Sequence, residues 1–253
     1  MSVEAQKQIW QESWKSQGQI SPEDILSSDF AKAAHGNVKR FLDAQDRLIL
    51  EAGCGTGRLC CLIGKDFPHS LVVGVDITEE SLRIAERLKN FLKVDNVSFI
   101  KADLFALPYP DNSFDVVFND GVIEHFALEH RPNYKDALHE MRRVVRPGGK
   151  IIVDVPNYYC FVHTLYKWAL RKTGRQYPFG YEKSFTKKEL VALFKEYDLG
   201  ELSVRGYYPA HGFFRLSGYA KLFSLLGRIV NRFDNPFISN AFGFMIIIKG
   251  VKK

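Results

Sequence analysis
At 253 residues, with 46% hydrophobic and 25% charged positions, the chain can bury a sizeable core of its own, which excludes a disordered or fibrous protein. The formal net charge is +6, unevenly spread: residues 1–149 hold 18 Lys and Arg against 22 Asp and Glu, whereas residues 150–253 hold 17 against 7. No apolar run has the length of a membrane span, the opening MSVEAQKQIW lacks the basic and apolar regions of a secretory leader, and Cys54, Cys60, Cys61 and Cys160 show no metal-ligand spacing, so a cytosolic globular protein with buried thiols and no metal is expected.

The first forty-odd residues read as helical, broken at Gly18 and Pro22, with Trp10 and Trp14 four apart on one face. Leu48-Ile49-Leu50 is a short buried strand ended by Gly53, Gly55 and Gly57, and a helix follows through Leu62. Leu71 to Val75 is a second strand ending at Asp76. Thr78 then caps a helix from Glu79 to about Phe91, with acids in its first turn. Residues 97–100 and 114–118 are the third and fourth strands. The helix 134–145 is stopped by Pro147-Gly148-Gly149, and 151–153 is the fifth strand. Strands apolar on both faces and alternating with helices indicate a parallel sheet covered on each side. Beyond it, 190–197 reads as helix, 202–208 as strand and 243–248 as a last strand, interrupted by two longer segments, 156–184 and 209–240.

The loop Glu51-Ala52-Gly53-Cys54-Gly55-Thr56-Gly57 lies between the first strand and its helix. Glycines let backbone approach a ligand closely, and a helix start offers free N–H groups. Asp76, nineteen residues past Gly57, closes the second strand, where a carboxylate can accept both hydroxyls of a ribose. A nucleoside-containing cofactor follows. The glycines run G-x-G-x-G rather than G-x-G-x-x-G, which disfavours a nicotinamide dinucleotide. An acid at Glu51 would repel a pyrophosphate but suit the amino group and sulfonium of S-adenosylmethionine. Asp103, just after the third strand, could take an adenine amino group.

Residues 48–58, 73–76, 102–104, 114–125 and 138–156 together resemble the successive motifs of class I S-adenosylmethionine-dependent methyltransferases, most closely the small-molecule and ubiquinone/menaquinone-type group. The resemblance implies a Rossmann-like α/β fold: a seven-stranded, mostly parallel sheet with an antiparallel last strand and helices on both faces. By position, Glu51, Gly53, Gly55 and Gly57 would line the methionine part of the cofactor. Asp76 would take the ribose, Ile77, Asp103 and Leu104 would meet the adenine, and Asn119 and Gly121 would form the wall next to the sulfonium. Glu124-His125 matches a familiar pair of this group, which makes His125 the catalytic candidate.

Methyl transfer needs a general base only when the attacking atom must lose a proton. Further candidates for that task are His163, His211, Tyr158, Tyr159, Tyr181, Tyr207 and Tyr208; packing is the plainer role for each. Asn119-Asp120-Gly121 is not the Asn/Asp-Pro-Pro-aromatic pattern of families that methylate exocyclic or amide nitrogens, which speaks against a DNA-adenine or glutamine acceptor; a small oxygen or carbon acceptor is expected. In the second insertion, Leu222, Leu225, Leu226, Ile229, Val230 and Phe233 form an apolar stripe opposed by Lys221, Arg228 and Arg232. Phe161, Leu165, Trp168 and Ala169 form a weaker stripe followed by Arg171, Lys172 and Arg175. Such helices suit an anionic membrane or a lipid-linked acceptor, a lid over the pocket, or RNA.

The sequence is therefore expected to encode a helical cover (1–46) on a methyltransferase domain (47–253) with insertions at about 156–185 and 209–240. It would act on a small-molecule acceptor, with peripheral membrane contact in view and nucleic acid disfavoured. An RNA methyltransferase and a non-catalytic S-adenosylmethionine-binding protein are the alternatives; acceptor and oligomeric state stay open.

Overall fold
The computed structural model describes all residues except 1–2, 17–18, 176, 211–220 and 233–234. Gly18, His211 and Phe233 therefore lie outside the described residues, as do the side chains of Lys221, Arg228 and Arg232. Three helices lead in: α1 (Val3–Ser16), α2 (Pro22–Ser27) and α3 (Asp29–Lys39). The alternation follows as β1 (Leu48–Ala52), α4 (Arg58–Asp66), β2 (Leu71–Asp76), α5 (Glu79–Leu92), β3 (Val97–Lys101), β4 (Phe114–Asp120), α6 (Tyr134–Val144) and β5 (Val145–Pro156). The remainder is α7 (Phe161–Lys172), α8 (Lys187–Glu196), β6 (Leu199–Tyr207), α9 (Lys221–Arg232), α10 (Pro236–Phe242) and β7 (Met245–Lys252).

The seven strands form one sheet in the order β3-β2-β1-β4-β5-β7-β6. β1 to β5 pair in parallel, and β7 runs antiparallel between β5 and β6. Strict alternation sorts the apolar strand residues onto two buried faces. Leu50, Val117, Ile151 and Ile246 pack with Leu138 and Met141 of α6 and Leu190 of α8. Ile49, Val116, Ile152 and Ile247 pack with Ala34 of α3 and Leu59 of α4. Two covered faces explain why these strands read as continuous apolar runs. The order reverses between β1 and β4, and there the loops at the strands' carboxyl ends part to leave a crevice.

Two local expectations are corrected. Thr78 stands at the start of α5 without capping it: its hydroxyl donates to Asp76 Oδ1 (2.8 Å) and is engaged with Ser81 Oγ (2.7 Å). Pro147-Gly148-Gly149 does not stop α6, which ends at Val144; the chain enters β5 directly, and the triplet lies inside that strand, where the register against β4 shifts. Gly149 allows this because a Cβ there would meet the Asp115 carbonyl oxygen at 2.8 Å.

Candidate active site
The carboxyl ends of β1 to β4, roofed by α1, enclose a cavity of about 310 Å3. The loop after β1 is bound to β2: the N–H groups of Gly53 and Cys54 both donate to Val75 O at 2.8 Å. Asp76 at the end of β2 braces the same loop, accepting from Gly55 N–H (2.9 Å) through Oδ2 and from Thr78 N–H (2.9 Å) through Oδ1. Gly57 turns into α4 at φ +67°, where a Cβ would lie 2.5 Å from Phe99 and 2.7 Å from Ala85. Only glycine lets the loop sit that close to β3 and α5.

Glu51, Gly53, Gly55, Asp76, Ile77, Asp103, Leu104 and Gly121 all line this one cavity; Gly57 and Asn119 do not. Gly57 packs beneath the loop, and Asn119 is fully buried, its amide donating to Ala52 O and its Oδ1 accepting from Ile123 N–H at 3.3 Å. Asn119 thus joins β1 to the turn after β4. The Glu51 carboxyl is buried and turned to the start of α4, accepting from the Cys60 N–H (3.1 Å) and thiol (2.8 Å). Burial, reinforced by Asp120, pushes its pKa up to about 8. Asp103 accepts from Phe105 N–H at 3.0 Å and faces Lys7 of α1 at 3.4 Å.

His125 follows β4 in a single 3-10 turn (Ile123–His125) and is buried at the cavity wall. Its Nδ1 lies 2.6 Å from the Tyr181 carbonyl oxygen, which can only accept, so Nδ1 carries a proton; Nε2 lies 3.8 Å from Glu124 Oε1. Sequence reasoning quoted Glu124 and Asp120 without giving them a role and passed over Asp154 and Glu182. Glu124 is 2% exposed, lines the cavity, and its Oε2 has no hydrogen-bond partner among the described residues. Burial, with Glu182 and Asp120 nearby, holds its carboxyl well above the ordinary carboxylate range.

Asp120, also on the wall, is paired through Oδ2 with Arg58 at 3.1 Å. Behind it stands Asp154, its register partner on β5, fully buried and accepting the Tyr207 hydroxyl. Burial, with the charge of Asp120, holds the Asp154 carboxyl well above the ordinary carboxylate range. Glu182 closes the wall from the first insertion, bonded to His163 (2.7 Å), Lys167 (3.3 Å) and the Tyr177 hydroxyl (2.7 Å). Burial would raise its pKa, but these partners outweigh that and keep it ionised. His163 and Tyr207, two candidate bases, are thus committed to carboxylates. For Asp120 and Asp154 the signal was a charged residue at the end of, or inside, an otherwise apolar strand; Glu124 and Glu182 lie outside the strands and carried no such signal.

The roof is aromatic. Trp10 stacks on Trp14 (5.9 Å between centroids) and on Phe179 (5.5 Å) and meets His125 edge-on at 5.1 Å. Gln6 fixes the helix to the first insertion by donating to Phe179 O at 2.9 Å.

Comparison with known proteins agrees with this geometry. Residues 44–197, more than half of the chain, match the methyltransferase domain family. A demethylmenaquinone methyltransferase of Bacillus mycoides is 28% identical over 202 residues, covering 72% of this chain and 82% of the relative. Among solved structures, a S-adenosylmethionine-dependent methyltransferase of Thermotoga maritima, described as a possible histamine N-methyltransferase, is similar with a TM-score of 0.65 at 19% identity, over 97% of this chain and all of that one. The geranyl diphosphate C-methyltransferase of Streptomyces coelicolor, solved with S-adenosylhomocysteine, gives 0.59 at 14% identity, over 87% of this chain and 78% of that one. These structures share the fold. A glycine loop braced by a strand-end carboxylate, in this sheet order and in a chain with this match, makes the protein a member of the class I S-adenosylmethionine-dependent methyltransferase family.

Proposed function
We propose that the protein transfers the methyl group of S-adenosylmethionine to a small hydrophobic, lipid-linked acceptor at an oxygen or an activated carbon. The observation that carries this reading is one cavity with two unlike ends: a glycine loop with strand-end acids, and an aromatic chamber holding a buried carboxyl, Glu124, with one oxygen lacking a hydrogen-bond partner among the described residues. The first end fits the cofactor. Gly121 is left-handed (φ +71°), and a Cβ there would meet only Glu124 Oε1, at 3.7 Å, so backbone is laid bare to the cavity. Asp76 would take the ribose hydroxyls through the lone pairs its loop contacts leave free, and Ile77, Asp103 and Leu104 would hold the adenine. Glu51, Gly53, Gly55 and Gly121 would face the methionine part, with Gly57 and Asn119 supporting the loops from behind. When bound, the cofactor supplies an electrophilic methyl group.

The chain's own residues orient the acceptor, exclude water and handle the proton. The roof made by residues 1–46 over the methyltransferase domain (47–253) serves the first two tasks. For a hydroxyl acceptor, Glu124 and His125 Nε2 are the proton acceptors on the wall beside Gly121. The demethylmenaquinone methyltransferase among the relatives supports a small organic acceptor rather than a macromolecule.

The test uses methyl-labelled S-adenosylmethionine, the purified protein and a lysate of its source organism, separated into organic, small aqueous and RNA fractions. Label in the organic phase is expected. Label confined to the aqueous fraction would refute the lipid-linked acceptor, and label in RNA would refute the substrate class. Cofactor binding without any transfer would favour a binding protein.

A further inference from the structure
Asn157 ties the first insertion to the chain just after the second. Its N–H donates to Phe244 O (2.8 Å) and its side-chain amide to Gly243 O (2.8 Å) and Ala241 O (3.3 Å), which ties the segment before α7 to the end of α10. On the inner side of this junction Pro156, Phe244 and Met245 line the cavity. One or two residues outward, Tyr158, Tyr159 and Phe242 stand more than half exposed. The cavity wall and an exposed aromatic rim are therefore continuous along both chain segments.

The helices of the insertions extend that rim. On α7, Phe161, Leu165 and Trp168 fall at i, i+4 and i+7 and are 72%, 41% and 55% exposed, while His163 and Leu170 on other sides are buried. On α9, Leu222, Leu225 and Ile229 are likewise exposed. In a helix packed on its own protein such a row faces the core. If the two helices formed a lid packed on each other, these residues would be covered; they face outward instead.

Charge identifies the occupant. Around α7 the cations are Arg171, Lys172 and Arg175, Lys167 being paired with Glu182, and the sequence from 202 to 233 holds five basic residues and no acid. Arg171, Lys172 and Arg175 are exposed at the end of α7, and the Lys172 ammonium lies 6.0 Å from the Trp168 ring centre. Aliphatic rows edged with aromatics and basic groups match the interface of an anionic bilayer: apolar side chains enter the acyl boundary and cations meet the headgroups. RNA would use the aromatics and cations but has nothing to stack on Leu165, Leu222, Leu225 or Ile229.

We propose that the rim formed by Tyr158, Tyr159, Phe242 and the outward rows of α7 and α9 docks the protein on an anionic lipid bilayer, with the Asn157 junction placing the cavity next to the membrane. This deepens the reading of a lipid-linked acceptor and rests on it only for what the surface would deliver. The test is co-sedimentation of the full chain with vesicles of phosphatidylcholine alone and of phosphatidylcholine mixed with phosphatidylglycerol, at low and high salt. The protein is expected to sediment with the mixed vesicles, less so at high salt. The triple variant Phe161→Ser, Leu165→Ser, Trp168→Ser should stay in solution while its affinity for S-adenosylmethionine is unchanged. Should that variant fail to bind the cofactor, Arg171→Glu, Lys172→Glu, Arg175→Glu takes its place and should partition roughly 100-fold more weakly. Wild-type protein that binds S-adenosylmethionine but neither vesicle, equal partitioning of wild type and variant, or binding to poly(U) RNA without binding to vesicles would each overturn the proposal. No methyl transfer is read, so failure of the docking surface and failure of the acceptor assignment are told apart.

Discussion
Trp10, on the first helix, meets His125 edge-on with ring centres 5.1 Å apart, so the roof of the cavity rests directly on its catalytic candidate. The same indole stacks on Trp14 and Phe179, which makes it the point where α1, the wall and the first insertion converge. Aromatic pairs contribute about 0.5–1.5 kcal/mol each beyond the area they bury. Trp10→Ala is therefore expected to loosen the roof and weaken S-adenosylmethionine binding roughly 10-fold, since loss of a single such pair already accounts for that factor at its upper end. Titration calorimetry reads the effect; an unchanged dissociation constant would make α1 a bystander to cofactor binding.

Asp76 bears on cofactor binding in two ways, because its carboxylate also holds the Gly55 and Thr78 N–H groups. Asp76→Ala would release the loop as well as the ribose contact, so Asp76→Asn is the sharper test. The amide oxygen can still accept one of the two backbone bonds, while the charge that would meet the ribose hydroxyls is gone. Losing a charge-assisted bond costs about 1.5–3 kcal/mol, a roughly 10- to 150-fold weaker affinity. Full affinity in Asp76→Asn, with an unaltered melting temperature, would refute the ribose role.

The glycine-loop end of the cavity was legible because its information is local. Gly53, Gly55 and Gly57 sit within one strand-loop-helix unit, Asp76 ends β2 and Asp103 follows β3 by two residues, so chain order alone brings them to one end of a parallel sheet. The acidic end of the cavity is assembled by tertiary pairing. Asp120 and Asp154 lie more than thirty residues apart and meet only because β4 and β5 pair in that register. Glu182 arrives from an insertion whose path no periodicity predicts. Asn119 reads as a wall residue by position, yet its amide is spent on Ala52 O and Ile123 N–H. The Thr78 expectation failed because its hydroxyl is spent on two chain neighbours, Asp76 and Ser81, and the Pro147-Gly148-Gly149 expectation because β5, paired with β4, begins before the triplet.

Glu51 should make stability depend on pH. Its folded pKa of about 8 lies above the ordinary 4.5, so between those values the native state keeps a proton that the unfolded chain has lost. Stability contributed by this group is then lost progressively as pH rises from about 4.5 to about 8. Glu51→Gln, which keeps an oxygen for the Cys60 N–H, removes that dependence. The variant's melting temperature relative to wild type should climb across this window and level off above it. A difference that stays constant with pH would show that Glu51 is ionised in the folded protein.

Glu124 is the group whose chemistry is most exposed to test. It faces the cavity beside Gly121 with one oxygen unpaired, and the charged or titratable groups around it are Asp120, Glu182, Lys167 and His125. Burial and the two neighbouring acids outweigh Lys167, so the carboxyl keeps its proton well above the usual range and becomes a stronger base once that proton leaves. For a hydroxyl acceptor, transfer should therefore accelerate as pH rises through the elevated Glu124 pKa. Glu124→Gln preserves shape and removes the base: kcat should fall about 10²- to 10⁴-fold and its rise with pH should flatten, while S-adenosylmethionine affinity is retained. A structural role would lower affinity or melting temperature and leave the slope of the pH profile in place. An unaltered profile in Glu124→Gln, lost in His125→Gln instead, would transfer the proton-accepting role to the imidazole.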